Sequence, residues 1–306
     1  MNLSQLYYFK KLAELQHYTK ASKELYITQP SLSDAISSLE KELNVKLFQK
    51  EGRNIKLTKQ GNKFYKHVCK TLNELEYGVS SVKESANMIS GSIDIACIPT
   101  LIGNFLPNSI TNFIKDKTSS AKFNIYSQTT YSIIDGIKSG IYDLGFCSKV
   151  EDEKDIVFIP ILMQEIILIV NNNHSLAYNN KISLSNIKDL PIITYRDTIP
   201  IGKTIKDILI KKNINASYLY DDEITIGGFI SANIDANKNP YVAIVAKTSF
   251  LKQFSNITCI SLDIPKDTRV IYLAYHKNNY QTRLTKSYID FIKKSETNLP
   301  VGLHLV

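Results

Sequence analysis

Gln29, Ser31, Ser33, Asp34, Ser37 and Ser38 crowd into one short stretch, and their side chains offer hydrogen bonds rather than a nucleophile with a base beside it. The surrounding residues predict a helix. Thr28 can cap it, and Pro30 falls in the first turn, where a missing N–H costs nothing and a fixed φ helps. Leu32, Ile36, Leu39 and Leu43 recur at helical spacing and stack on one side. The opposite side carries Pro30, Asp34, Ser37, Ser38 and Lys41, with Gln29, Ser31 and Ser33 near the N-terminal end. Such a face suits a DNA major groove. Gln can bond adenine twice, Ser adapts to several base edges, and the free N–H groups at the helix start suit phosphate. A solvated face in a helical bundle would carry the same residues, so this stretch alone admits both readings.

The flanks decide between them. Thr19 is a candidate N-cap for a shorter helix before the turn, with Ala21 and Leu25 on its apolar side, and Tyr26-Ile27-Thr28 supplies the turn. Leu3, Leu6, Phe9, Leu12 and Ala13 make an earlier amphipathic helix that can close a three-helix core. After Asn44, which tolerates the left-handed conformation of a helix end, residues 45–57 read as two short strands around Glu51-Gly52-Arg53-Asn54. That hairpin reads as a wing.

The run from Ala21-Ser22 to Leu25 begins a recognisable signature. It continues through Thr28-Gln29-Pro30-Ser31-Leu32-Ser33, Leu39-Glu40-Lys41-Glu42-Leu43, Leu47-Phe48, Gly52-Arg53 and Leu57-Thr58-Lys59-Gln60-Gly61. Together these resemble the N-terminal winged helix-turn-helix of LysR-type transcriptional regulators. The resemblance implies DNA contact by Thr28, Gln29, Pro30, Ser31, Ser33 and position 34, with Arg53 at the wing tip reaching the minor groove or its phosphates. Ser37 joins them from its place on the same helix face. Asp34 and Asn44 depart from the family, which usually has a basic or neutral residue at the first position and Gly at the second.

Composition agrees with a soluble chain of more than one domain. Its 306 residues can bury more than one core, and 43% hydrophobic with 22% charged residues is ordinary for globular proteins. A net charge of +8 favours a polyanionic partner, and Arg53 is the only arginine before Arg196. The four cysteines, Cys69, Cys97, Cys147 and Cys259, lack metal-binding spacing and read as reduced core thiols. No cofactor or metal is expected. With neither a signal-like start nor an apolar run of roughly 18 residues, the expected location is the cytoplasm, away from membranes.

From Thr58 to about Ile89 the pattern predicts one long helix. Val68, Leu75, Val82 and Ile89 recur every seven residues, and Leu72, Val79 and Ala86 form the interleaved series. Such a seam favours pairing with a second copy, giving a homodimer, or a homotetramer as in the family. Ser90-Gly91-Ser92 then breaks the helix. The remainder alternates strands and helices in β-α-β order, implying a mainly parallel sheet. Two such runs, with crossings expected near Ile161 and Thr268, resemble the family's effector-binding region, itself similar to periplasmic binding proteins. The expected fold is therefore α/β overall. It divides into a winged helix-turn-helix over 1–58, a linker helix over 59–89, and a two-lobed α/β domain over 90–306. Lobe I takes about 90–161 and 269–306, and lobe II about 162–268.

Ligands in open α/β folds bind beyond the carboxyl ends of strands, between lobes where there are two. Those positions hold Thr100, Gln128, Thr129 and Ser148 in lobe I, and Arg196 and Thr198 in lobe II. Hydroxyls and helix N-termini facing a cleft suit a carboxylate or similar anion. The resemblance makes Thr100 the best single match. The expected function is a DNA-binding transcriptional regulator sensing a small, anionic metabolite, with RNA polymerase as a further partner. Alternatives are a thiol-sensing or purely oligomeric C-terminal region on the same DNA-binding unit, or an α/β enzyme. The five dispersed histidines, with no nucleophile, paired carboxylate or phosphate loop around them, argue against an enzyme.

An outward carboxylate near phosphates is unfavourable unless it accepts from a cytosine amine, so Asp34 is expected to set operator preference. Binding of Asp34→Ala and Asp34→Arg to a panel of operator variants should change by site; a uniform change across the panel contradicts the idea.

Overall fold

The computed structural model describes residues 1–51, 54–83, 91–103, 105–117, 121–232, 241–294 and 302–305. Three helices open the chain: α1 (Leu3–Leu15), α2 (Tyr18–Glu24) and α3 (Gln29–Leu43). The strands β1 (Phe48–Glu51) and β2 (Asn54–Leu57) pair antiparallel behind them. Thr28 caps α3 by accepting from the Ser31 amide, and Asn44 ends it at φ 53. The cap of α2 is His17 rather than Thr19: the imidazole accepts from the Lys20 amide, and the Thr19 hydroxyl instead donates to Gln29 Oε1 at 2.8 Å. Phe9, Leu12, Ala21, Leu32, Ile36 and Leu39 form the core, and Leu43 is half-buried at its margin.

One buried carboxylate ties the wing to α3. Glu40 accepts from the Leu47 and Phe48 amides at 2.8 and 3.1 Å and from Lys46 Nζ at 2.7 Å. Beside it, α4 (Lys59–Lys83) starts under Thr58, whose hydroxyl accepts from the Gly61 amide and donates to the Lys46 carbonyl. Only glycine fits at 61, because an added Cβ would collide with the Leu47 carbonyl.

The expected seam on α4 divides. Val68 and Leu72 are buried in the N-terminal core, so they hold this domain together rather than meeting a partner. Leu75 and Val79, past the end of that core, are 43% and 46% exposed. The side chain of Val82, all of Ala86 and Ile89, and Gly52 and Arg53 in the wing lie outside the described residues.

The rest forms two six-stranded sheets. Its elements in chain order are β3 (Ser92–Cys97), α5 (Pro99–Ile102), α6 (Phe105–Lys117), β4 (Lys122–Ser127), α7 (Thr130–Lys138), β5 (Leu144–Cys147) and β6 (Ile156–Gln164). They continue with β7 (Ile166–Asn171), β8 (Lys181–Ile182), β9 (Ile192–Tyr195), α8 (Pro200–Lys211), β10 (Ser217–Tyr220), α9 (Glu223–Ala232) and β11 (Val242–Ala246). Last come β12 (Ile257–Leu262), β13 (Val270–His276), α10 (Arg283–Lys294) and β14 (Leu303–Leu305). The first sheet runs β14-β6-β13-β5-β3-β4 and the second β10-β9-β11-β7-β12-β8. Each has its own apolar core.

Both sheets are mixed, which corrects the expectation of a mainly parallel one. β3 is parallel to β4 and β5, while β13, β6 and β14 run antiparallel to their neighbours. In the sequence Pro160 reads as a boundary, yet it lies within β6, opposite Tyr272 next to a register shift, where a missing N–H is tolerated. Leu101 to Lys117 reads in the sequence as one helix with Pro107 inside it, whereas the structure forms α5 and α6, with Pro107 in the first turn of α6, where no amide donor is needed. The chain passes between sheets at Glu165 and returns between Leu262 and Val270.

Replacing Glu40 by Ala leaves two buried amides without acceptors, at about 1–3 kcal/mol each. Urea unfolding of Glu40→Ala should show a loss of about 2 kcal/mol or more in the N-terminal transition; a loss below about 0.5 kcal/mol contradicts the role assigned to this carboxylate.

Candidate functional site

The outer side of α3 is open. Thr28, Gln29, Pro30, Ser31, Asp34 and Ser37 are exposed and Ser33 is half-buried, so the structure presents these seven expected contact residues on one surface. The Thr28 and Ser31 hydroxyls lie 2.8 Å apart, and Thr19 pins the Gln29 amide by its oxygen, leaving the Gln29 amino group free to donate. The sequence marks Tyr26 only as part of the turn between the two helices. It turns the chain between α2 and α3 at φ 54 with its side chain 96% exposed beside this face. Lys59, Lys63 and Lys66 on α4 are also exposed.

Between the two sheets lies a cavity of about 170 Å³. Lobe I contributes Thr100 from the first turn of α5, Thr129 and Thr130 from the start of α7, and Ser148 after β5. Lobe II contributes Tyr195 from the end of β9, residues 199–201 at the start of α8, and Asp221, Asp222 and Glu223 at the start of α9. Arg269 enters from the returning crossover. Arg269 and Ser148 also border a wider opening of about 500 Å³ beside Lys149 and Lys203.

Three of the six expected effector residues meet here, and three do not. Thr100 Oγ1 is buried and has no hydrogen-bond partner among the described residues. Ser148 is buried on the same wall, and the Thr129 hydroxyl is committed to capping α7 through the Ser132 amide. Gln128 turns instead to Tyr142. Arg196 is exposed and ion-paired with Asp221 at 2.9 Å, and Thr198 is exposed away from the cavity. Both precede α8 in sequence, but the β9–α8 loop carries them outward.

The cation sequence reasoning missed is Arg269. It is 6% exposed, its Nε donates to Gln164 Oε1 at 2.7 Å, and among the described residues no carboxylate lies within ion-pair distance. Desolvation lowers its pKa, an effect that Tyr195 and Glu223 nearby oppose. A buried guanidinium with no direct ion pair is costly, and Arg269 forms part of the cavity wall. Opposite stands Glu223, 3% exposed, accepting from the Tyr195 hydroxyl at 2.6 Å; Tyr195 itself accepts from the Ala246 amide at 3.0 Å. Burial pushes the Glu223 carboxyl up, although Tyr195 and Arg269 pull the other way. In the sequence Arg269 reads as the first residue of a strand, and Asp221-Asp222-Glu223 as a solvated loop with Glu223 near a helix start. The scarcity of arginine, four against many lysines, was the available signal.

Among the described residues no cluster of His, Cys, Asp and Glu could hold a metal, and no helix is long and apolar enough to cross a membrane. The thiols are not activated: burial raises Cys69 to about 11, Cys147 to about 12, Cys97 well above its ordinary value, and Cys259 also upward.

Residues 3–62 match the model of the bacterial regulatory helix-turn-helix protein, lysR family, and residues 86–296 match the LysR substrate binding domain. A relative described as the uncharacterized HTH-type transcriptional regulator YybE of Bacillus subtilis (strain 168) is 29% identical over 294 residues, spanning 95% of this chain and 98% of its own. Among solved structures, the effector binding domain of QuiR in complex with shikimate is 30% identical with a TM-score of 0.59, covering 66% of this chain and 95% of that one. The LysR family regulator CbnR shares the fold over 97% of this chain and 100% of its own, with a TM-score of 0.71 at 18% identity.

A hydroxyl buried without a partner destabilises the protein that carries it. Thr100→Val, of nearly the same shape, should therefore raise the melting temperature of the ligand-free protein, by the equivalent of about 1 kcal/mol. A lower melting temperature would mean that Thr100 is bonded within the chain.

Proposed function

The chain belongs to the LysR family of DNA-binding transcriptional regulators, with an effector-binding domain after its helix-turn-helix, and on that premise we propose that it senses a small anion in the cavity at Arg269. The anion is met by the Arg269 guanidinium, the unpartnered Thr100 hydroxyl and Ser148, with the N-terminus of α7 facing the same space. The observation that carries this is Arg269 itself, a buried cation with a neutral acceptor as its one hydrogen-bond partner among the described residues. The QuiR domain, whose bound shikimate is a carboxylate, supports the same class of ligand.

On DNA, α3 lies in the major groove. Thr28, Pro30 and Ser31 sit near phosphates at the helix start, and Gln29, Ser33, Asp34 and Ser37 face base edges, with Arg53 of the wing beside the minor groove. Two copies pair along α4, where Leu75 and Val79 flank Gly78 on an apolar face that the core of their own domain does not cover. The pairing gives a dimer that can assemble further into a tetramer and present two recognition helices. RNA polymerase is the further protein partner.

A route joins the two ends. Helix α7 begins at the cavity with its cap Thr129 and with Thr130, and ends at Lys138; just beyond its Ser139 cap, Gly140 adopts φ +73 and its carbonyl accepts from Asn73 Nδ2 of α4. An anion seated on Arg269 also bears on the crossing, because the Gln164 amide donates to the Arg269 carbonyl while the guanidinium donates back to the Gln164 side chain. Binding that favours a closed cleft thus displaces α4 and the helix-turn-helix. Thiol sensing is disfavoured by the raised pKa of every cysteine.

Small carboxylates that raise the melting temperature of the full-length protein should change its gel shift on promoter DNA. Arg269→Met should keep basal DNA binding and weaken those carboxylates by about thirtyfold or more, the equivalent of ~2 kcal/mol for a buried charge partner. Equal carboxylate affinity in the variant would reject an anion site at Arg269.

A further inference from the structure

Asp221, Asp222 and Glu223 form part of the lobe II wall of the cavity that holds Arg269. Two are committed within the chain. Asp221 pairs with Arg196, and Asp222 accepts from the Thr225 amide and hydroxyl at 2.7 and 3.0 Å. Glu223 is committed in part: Oε1 accepts from the Tyr195 hydroxyl at 2.6 Å, its own backbone adds a local hydrogen bond, and Tyr195 is held in turn by the Ala246 amide. Arg269 lies beyond ion-pair distance, turned to Gln164.

A buried acidic residue and a buried arginine therefore line one small cavity, each acting on the other's charge but with no direct ion pair between them. Oε2 of Glu223 has lone pairs for a donor, and the guanidinium has N–H groups for an acceptor. At roughly 30 Å³ per water, the space of about 170 Å³ holds about six waters, so a ligand reaching both groups is compact. A skeleton bearing only an anion would satisfy Arg269 and strip water from Glu223 with nothing in exchange, which is how a site built around a polar group rejects ligands lacking its partner.

We propose that Glu223 is a specificity-determining residue, selecting effectors that carry a hydroxyl or ammonium donor on the same small skeleton as the anionic group that meets Arg269. The inference rests on Arg269 being the anion contact.

The test is titration calorimetry on the full-length protein with matched acids: cyclohex-1-ene-1-carboxylate against shikimate, and propionate against lactate and alanine. In at least one set the donor-bearing acid should bind tenfold or more tightly than its bare skeleton. That preference should vanish in Glu223→Leu. Glu223→Gln, which keeps a carbonyl acceptor without the charge, should retain it for a hydroxyl and lose it for an ammonium, telling the two donors apart. Bare and decorated acids binding the wild type equally would overturn the role of Glu223 and leave the anion site standing. Equal weakening of both in Glu223→Leu would make it a packing residue and also overturn the role. Binding by none of the five acids would overturn both.

Discussion

A guanidinium taken out of water must be neutralised or its burial must be supported elsewhere, and Arg269 has one neutral acceptor, Gln164, among the described residues. It occupies the seam where the chain returns from one sheet to the other, so its position depends on both lobes. The walls around it fit that constraint. Lobe I offers an unpartnered hydroxyl at Thr100, and lobe II commits Asp221 and Asp222 to partners of their own rather than to the cation. In the proposed account, the ligand supplies the missing charge and the energy released favours one arrangement of the lobes.

Arrangement of the lobes matters because the DNA-reading end is mechanically continuous with them. Glu40 fastens the wing to α3, Gly61 brings the start of α4 against the Leu47 carbonyl, and Val68 and Leu72 root α4 in the same core. Farther along, Asn73 grips the Gly140 turn at the end of α7. A helix fixed to the winged unit at one end and to lobe I at its middle is suited to carry a change of angle between them. The division of α4 has a further consequence: among its described residues, the distal apolar pair Leu75 and Val79 remains open to a second copy.

Much of the N-terminal unit was legible because it obeys local rules. Helical spacing located Leu32, Ile36 and Leu39, Thr28 and Pro30 marked the start of α3, and Asn44 marked its end. What periodicity could not supply was which partner an apolar helix face meets, so Val68 and Leu72 read as a seam between copies when their own core claims them. The cap at His17 escaped because the Thr19 hydroxyl, locally the better candidate, is drawn off to Gln29. In the sheets, Pro160 obscured β6, since only tertiary pairing reveals that its missing amide falls next to a register shift.

The cavity was half legible for a related reason. Thr100, Thr129 and Ser148 follow strands of lobe I directly, and the rule that ligands sit beyond strand ends finds them. Arg196 and Thr198 satisfy the same rule yet point outward. Arg269 enters at the amino end of β13, the end the rule passes over, and Glu223 follows β10 by three residues but sits in an acidic run that reads as solvated. No spacing pattern links these positions.

The most direct measurement is a crystal structure of the full-length protein with an effector found by ligand screening. The account predicts anionic oxygens within about 3 Å of both the Arg269 guanidinium and the Thr100 hydroxyl. An effector bound in a different cavity, or one that leaves Arg269 and Thr100 as they are in the free protein, would contradict it.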